Sequence, residues 1–155
     1  MPQTNAEHSM GPDRELISQR TFDAPRERVF RAWTDPARLA RWWGPKGFRN
    51  TFHKFELRPG GNWRFVMHGP DGVDYRNHSV FVEIAEPERI VFDHVSGPHF
   101  QVTASFDEAG DKTQLTYRMV FDTPAVCSQL KTFALKSNEE NFDRLAAELK
   151  RMAQA

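Results

Sequence analysis

The sequence predicts an α+β domain: a curved antiparallel sheet of about seven strands, two short helices after the first strand, and a long C-terminal helix over the concave face. Three observations carry that expectation. Between Asn50 and Asp122 apolar and polar residues alternate with period two. Turn residues cut this stretch into pieces of strand length, with links too short for parallel crossovers, so successive strands form a meander. Beyond Pro124 the chain reaches Met152 without another proline or any glycine, which reads as one helix.

The elements follow in order. Met1 to about Asp13 is polar and aperiodic and is expected to be a disordered tail, leaving 14–152 as a single domain. Arg14 to Asp23 reads as a first strand. It ends at Ala24-Pro25, where proline suits the first turn of a helix. Val29, Phe30 and Trp33 recur at helical spacing. Asp35-Pro36 repeats the start signal, and Leu39, Trp42 and Trp43 give a second short helix stopped by Gly44-Pro45. Six strands are then expected near 50–57, 62–68, 74–85, 89–95, 99–107 and 112–122. The cuts are Arg58-Pro59-Gly60-Gly61, Gly69-Pro70-Asp71-Gly72, Glu86-Pro87-Glu88, Ser96-Gly97-Pro98 and the segment 107–111. Trp63, Phe65 and Met67, then Ile90, Phe92 and His94, then Leu115, Tyr117 and Met119 alternate with polar neighbours, so one face is covered and the other wet.

The covering element is the last helix, roughly 40 Å long at 1.5 Å per residue. Its apolar stripe runs through Val126, Leu130, Phe133 and Ala134, then through Phe142, Leu145, Leu149 and Met152. Ser137, Asn138 and Asn141 interrupt it. A helix with a polar middle gripping a curved sheet predicts a cavity there, with a kinked or divided helix as the alternative.

Composition bounds the function. A chain of 155 residues makes one domain, and 21 basic against 21 acidic side chains leave no net charge to drive binding to nucleic acid or anionic lipid. With 39% hydrophobic and 27% charged residues it can pack a core. One cysteine, Cys127, excludes an internal disulfide framework and a cysteine-cluster zinc site. No apolar run approaches a membrane span, and the N-terminus lacks a signal peptide's apolar core, so a soluble, cytoplasmic protein without membrane insertion is expected. Thirteen phenylalanines and four tryptophans supply the rigid plates that fill cores and line concave sites.

The stretch Thr21 to Pro36 (TFDAPRERVFRAWTDP), then Trp42 to Phe48 (WWGPKGF), Leu57 to Gly61 (LRPGG), Gly69 to Gly72 (GPDG), Glu86 to Phe92 (EPERIVF) and Asp143 to Ala147 (DRLAA) carry a resemblance. They resemble, in this order, bacterial relatives of the C-terminal domain of the heat-shock protein 90 ATPase activator. That family belongs to the START-like (SRPBCC) superfamily of helix-grip folds. The resemblance implies a helix-grip fold over about residues 14–150. It does not choose among lipid carriers, hormone receptors, cyclases and co-chaperone domains. Where bacterial members commonly show Gly-Trp on the long helix, this chain has Ser137-Asn138. An amide in place of an indole predicts a larger and more polar cavity.

Nucleophilic catalysis has little support, because Cys127 has no histidine near it in sequence and reads as an inert buried thiol. His68, His78, His94 and His99 show no metal-ligand spacing, so no metal and no cofactor are expected. Glu139 and Glu140 are adjacent and point apart, and Gly60-Gly61 and Gly44 to Gly47 are turns and not phosphate cradles. Trp33 is expected in the core. Trp42 and Trp43, being adjacent, are expected to splay, one of them to an entrance or a subunit contact.

The expected function is binding of a small apolar or amphipathic molecule between sheet and long helix, as a carrier or sensor. The expected lining is Trp63, Phe65, Met67 and His78, then Phe92, His94, Tyr117 and Met119, with Phe133, Ser137 and Asn138 from the helix. Tyr117 and Asn138 would orient the ligand by hydrogen bonds. The alternative is a cyclase-like or isomerase-like enzyme using His94 and Tyr117 as acid and base. A third reading is a co-chaperone-like interaction protein. Either a monomer or a homodimer is compatible with all three.

Overall fold

A computed structural model describes residues 12–154, so the expected tail lies outside the described residues up to position 11. Residues 12 and 13, assigned to that tail from sequence, instead belong to a 3-10 turn, Pro12–Arg14. It leads into β1 (Glu15–Phe22), α1 (Arg26–Thr34) and α2 (Pro36–Trp42). The meander comprises β2 (Arg49–Phe55), β3 (Asn62–His68), β4 (Asp74–Ala85), β5 (Arg89–His94), β6 (Phe100–Ala109) and β7 (Lys112–Phe121). One helix, α3 (Pro124–Gln154), closes the chain.

The strands form one seven-stranded antiparallel sheet in the order β1-β7-β6-β5-β4-β3-β2. The meander pairs each strand with its successor, and β1 returns to pair with β7, leaving β1 and β2 at the edges. Bulges at Phe52/Lys54 in β2 and Phe81/Glu83 in β4 each insert an extra residue, and such insertions bend the strand that carries them. The sheet therefore curves around one face. That face carries Phe65, Phe92, Val102, Ala104, Phe106, Leu115 and Tyr117, all buried, as the period-two reading requires.

α1 and α2 close one end of the trough. Asp35 caps α2, its carboxylate accepting from the Ala37 N–H at 3.0 Å, and Pro36 takes the first helical position, where its missing N–H costs nothing. α1 buries Val29, Phe30 and Trp33, the two rings against Phe106 of β6. α3 is a single unbroken helix of 31 residues that packs on β1, β7, α1 and α2, so the divided-helix alternative does not hold. Its C-terminal half is the tightly packed part, with Phe142, Leu145, Leu149 and Met152 buried. The polar middle lies between this half and the first turns.

Candidate functional site

Beneath that polar middle lies a cavity of about 250 Å³. β3 contributes Phe65 and Met67, β4 Asn77 and Ser79, β5 Phe92 and His94. Phe100 comes from β6, and Tyr117, Met119 and Phe121 from β7. The roof is α3, through Leu130, Phe133, Ala134, Ser137, Asn138 and Asn141. Trp43 with Gly44 and Pro45 forms one end wall, and Pro98 of the β5–β6 turn also lines the space. Among the described residues no lysine, arginine, aspartate or glutamate lines the space.

Of the residues expected from sequence, Phe65, Met67, Phe92, His94, Tyr117, Met119, Phe133, Ser137 and Asn138 come together here. Phe133 is the most open of them, at 67% exposure on the side of the mouth. Trp63 and His78 do not join them. Trp63 faces the trough but is sealed in the core near the β2 edge. Its ring stacks on Phe65 at 4.6 Å, with Trp43 at 5.1 Å and with Phe52 and Phe55 from the bulged strand around it. His78 points the other way. Alternation along β4 turns Asn77 and Ser79 inward, which sends His78 to the outer face, where its Nε2–H donates to Asn62 Oδ1 at 2.8 Å.

The tryptophan pair also departs from expectation, since both members are buried. Trp42 is the last residue of α2 and donates its indole N–H to the Ala32 carbonyl at 2.9 Å. Trp43 leaves the helix with extended backbone (φ −67°, ψ 135°), and that change of direction folds the second ring back inward. Trp33, Trp42 and Trp43 then meet edge-to-face, with centroids 5.0 to 5.5 Å apart.

The end wall is fastened to α3. Arg144 Nη1 donates to the carbonyls of Trp43, Gly44 and Pro45, each at 3.0 Å, and Nη2 to those of Arg41 and Phe48 at 2.9 Å. Asn141 adds a donation to the Trp42 carbonyl at 2.8 Å, and Glu140 accepts from the Lys46 N–H at 3.1 Å. Gly44 needs its positive φ of 98°, and a Cβ there would collide with the Met67 methyl. This clamp was invisible to the period-based reading, which sees spacing and not which side chain reaches a loop.

The polar groups of the cavity divide into bonded and unbonded. His94 Nδ1–H donates to the Pro98 carbonyl at 2.9 Å, and the ring stacks on Phe100 at 4.5 Å. Its Nε2 lies 3.3 Å from Ser96 Oγ, which can donate to it, and 3.0 Å from Asn77 Oδ1. Burial holds the His94 pKa below its ordinary value. Asn138 Nδ2 donates to Ser18 Oγ at 3.2 Å and lies 3.6 Å from the Met119 sulfur. Tyr117, 6% exposed, has no hydrogen-bond partner among the described residues, and burial pushes its phenol well above the usual range. Ser79 Oγ is buried and equally unpartnered. His94 and Tyr117 are not hydrogen-bonded to each other.

Elsewhere, Cys127 is buried outside the cavity with its thiol pKa pushed up by that burial, the opposite of an activated nucleophile. His99 sits on the surface beside Asp122, with Nδ1 and Oδ1 2.8 Å apart. Thr51 Oγ1, His68 and Asp74 make a chain of 2.7 and 2.8 Å contacts that sequence spacing did not reveal, because cross-strand register assembles it. It lies outside the cavity, with Thr51 and Asp74 exposed. Among the described residues no group of three or more His, Cys, Asp or Glu side chains could hold a metal ion, and no helix is long and apolar enough to cross a membrane.

Comparison with known proteins agrees with this architecture. No curated protein matches the sequence. Among solved structures, a protein of Nitrosomonas europaea superposes with a TM-score of 0.84 at 21% identity, over 93% of this chain and 99% of that one. A protein of Rhodobacter sphaeroides gives 0.83 at 25% identity, over 91% and 95%. A Silicibacter pomeroyi protein named for the same activator gives 0.73 at 21%, over 89% and 99%. The family model for activator of Hsp90 ATPase homolog 1-like proteins matches residues 23–154. With that match spanning the two short helices, the meander and the long helix, the chain belongs to the activator of Hsp90 ATPase homolog 1-like family, on a START-like helix-grip fold.

Proposed function

We propose that this protein binds a small, largely apolar molecule in the cavity between the sheet and α3, as a carrier or sensor. One observation carries the reading: a space of about 250 Å³ walled by aromatic rings and thioethers, with the unpartnered hydroxyl residues Tyr117 and Ser79 in its wall, the Ser79 hydroxyl fully buried. An unpaired buried polar group costs about 1–3 kcal/mol, which a hydrogen-bonding guest would recover. The volume lies just under the roughly 300–1,000 Å³ typical of ligand sites and above the roughly 150 Å³ of an engineered apolar cavity that takes up benzene, so a guest of one or two rings fits.

Asn138→Trp tests the reading by returning an indole to the roof. The expected outcome in calorimetric titration with naphthalene is a loss of at least tenfold in affinity, with thermal stability equal to or above that of the unaltered protein. Unchanged affinity would place the probe elsewhere. A large fall in melting temperature would mean that the space is already taken by the protein's own side chains.

A further inference from the structure

Resting on the reading above, we propose a ligand class for the cavity: an uncharged ring compound bearing a hydroxyl group, selected over a carboxylate of the same shape. Asn141 Nδ2 lies 2.8 Å from the Trp42 carbonyl, and Asn77 Nδ2 lies 3.1 Å from the Tyr75 carbonyl. Only a donor can face a carbonyl oxygen, so both amides are fixed in orientation. Asn138 Nδ2 is spent on Ser18 Oγ and faces the Met119 sulfur, an acceptor that would oppose an amide oxygen. All three asparagines in the wall thus use their N–H groups on the protein; the Asn77 oxygen is taken up by His94 Nε2 at 3.0 Å, and those of Asn138 and Asn141 bond to none of the described residues. Asn138 and Asn141 stand three residues apart on one helix face and both line the roof, so two acceptor-bearing side chains neighbour each other there.

The opposite wall supplies the complementary half. Tyr117 and Ser79 carry hydroxyls that bond to none of the described residues, and both can donate. A ligand hydroxyl suits this arrangement: it gives its proton to an amide oxygen of the roof and accepts one from Tyr117. A carboxylate has only acceptors. It would face the amide oxygens with no lysine or arginine in the wall and would lose its hydration without a counter-ion. An ammonium could use the oxygens and the rings, but no carboxylate lines the space to offset its desolvation, and it leaves the Tyr117 hydroxyl unpaired.

The test is calorimetric titration at neutral pH with four probes on one scaffold: naphthalene, 2-naphthol, 2-naphthoate and 2-naphthylmethylammonium. The expected order places 2-naphthol at least tenfold tighter than naphthalene and at least tenfold tighter than either ion. Tyr117→Phe, which removes only the oxygen, and Asn138→Leu should each reduce the naphthol-to-naphthalene affinity ratio severalfold. If naphthalene binds but 2-naphthol gains nothing, or if either ion binds as tightly, the ligand class is wrong and the binding reading stands. If none of the four binds, the cavity is not a host and both readings fall.

Discussion

At the scale of single residues, buried polar atoms are treated unequally: the indole N–H groups of Trp33 and Trp63 in the core are unpartnered, as are two hydroxyls in the cavity wall. Thr113, buried at the sheet's other end, donates to the Ala24 carbonyl at 2.7 Å, whereas Tyr117 and Ser79 have nothing. His94 is the titratable base of the wall, and it makes a pH prediction. Burial lowers its folded pKa from the ordinary 6.5, and His78 on the outer face is lowered as well, by burial and then by Arg64. A lowered folded pKa means that the unfolded chain takes up protons first as pH drops. The stability from neutral His94 is therefore fully present above about pH 6.5 and is lost as pH falls through the lowered folded value. Neighbouring His99 adds to this lowering, while the hydrogen bond to the Pro98 carbonyl opposes it. In melting temperature against pH, His94→Gln should flatten part of the decline below pH 6.5 relative to the unaltered protein. An acid limb of unchanged slope would contradict this assignment. Alternation made His94 legible in the sequence, through Ile90 and Phe92 on the same face. It failed for His78, because the residues from Tyr75 to Ser79 are polar or mixed throughout and carry no apolar marker of parity.

At the scale of elements, the helix and strand order was readable because period two, helical spacing and turn residues agree along most of the chain. The fastening of one element to another was not readable. Arg144 spans from α3 to five carbonyls of the segment 41–48, and nothing in its spacing announces that reach. Glu148 is similar: on an otherwise apolar stripe it is wholly buried, held by Arg38 at 3.1 Å, Arg41 at 3.5 Å and Arg151 at 2.6 Å. Sequence patterning treats such a carboxylate as surface, since only its assembled partners make burial tolerable. The planar fork of Arg144 cannot be copied by a lysine, which has one nitrogen and three donors. Arg144→Lys should cost about 2 kcal/mol, a fall of roughly 4–8 °C in melting temperature for a domain of this size. Binding should weaken in parallel, because Trp43, Gly44 and Pro45 form a wall of the cavity. A melting temperature unchanged by the substitution would show that the clamp does not hold the wall.

At the scale of the whole molecule, the fold makes room by dividing its work. The C-terminal half of α3 packs with α1, α2 and the three-tryptophan cluster, and it anchors the helix. The sheet, bent at its bulges and closed from β7 back to β1, then passes under the helix middle without being filled by it. Large rings set the spacing of the walls, and small or polar side chains at Ala134, Ser137 and Asn138 keep the roof thin. The polar break in the helix stripe was the sequence signal for this space. Its end wall was not foreseen, because adjacent tryptophans on a helix would diverge and only the extended backbone at Trp43 lets both turn inward. The central claim is that the space is kept for a guest. Native mass spectrometry of the protein purified from its own organism, with extraction and identification of anything released, tests it most directly. A single co-purifying small molecule, displaced by 2-naphthol and absent from Asn138→Trp, is the predicted result. A spectrum of bare protein, together with no uptake of added 2-naphthol or naphthalene, would contradict it.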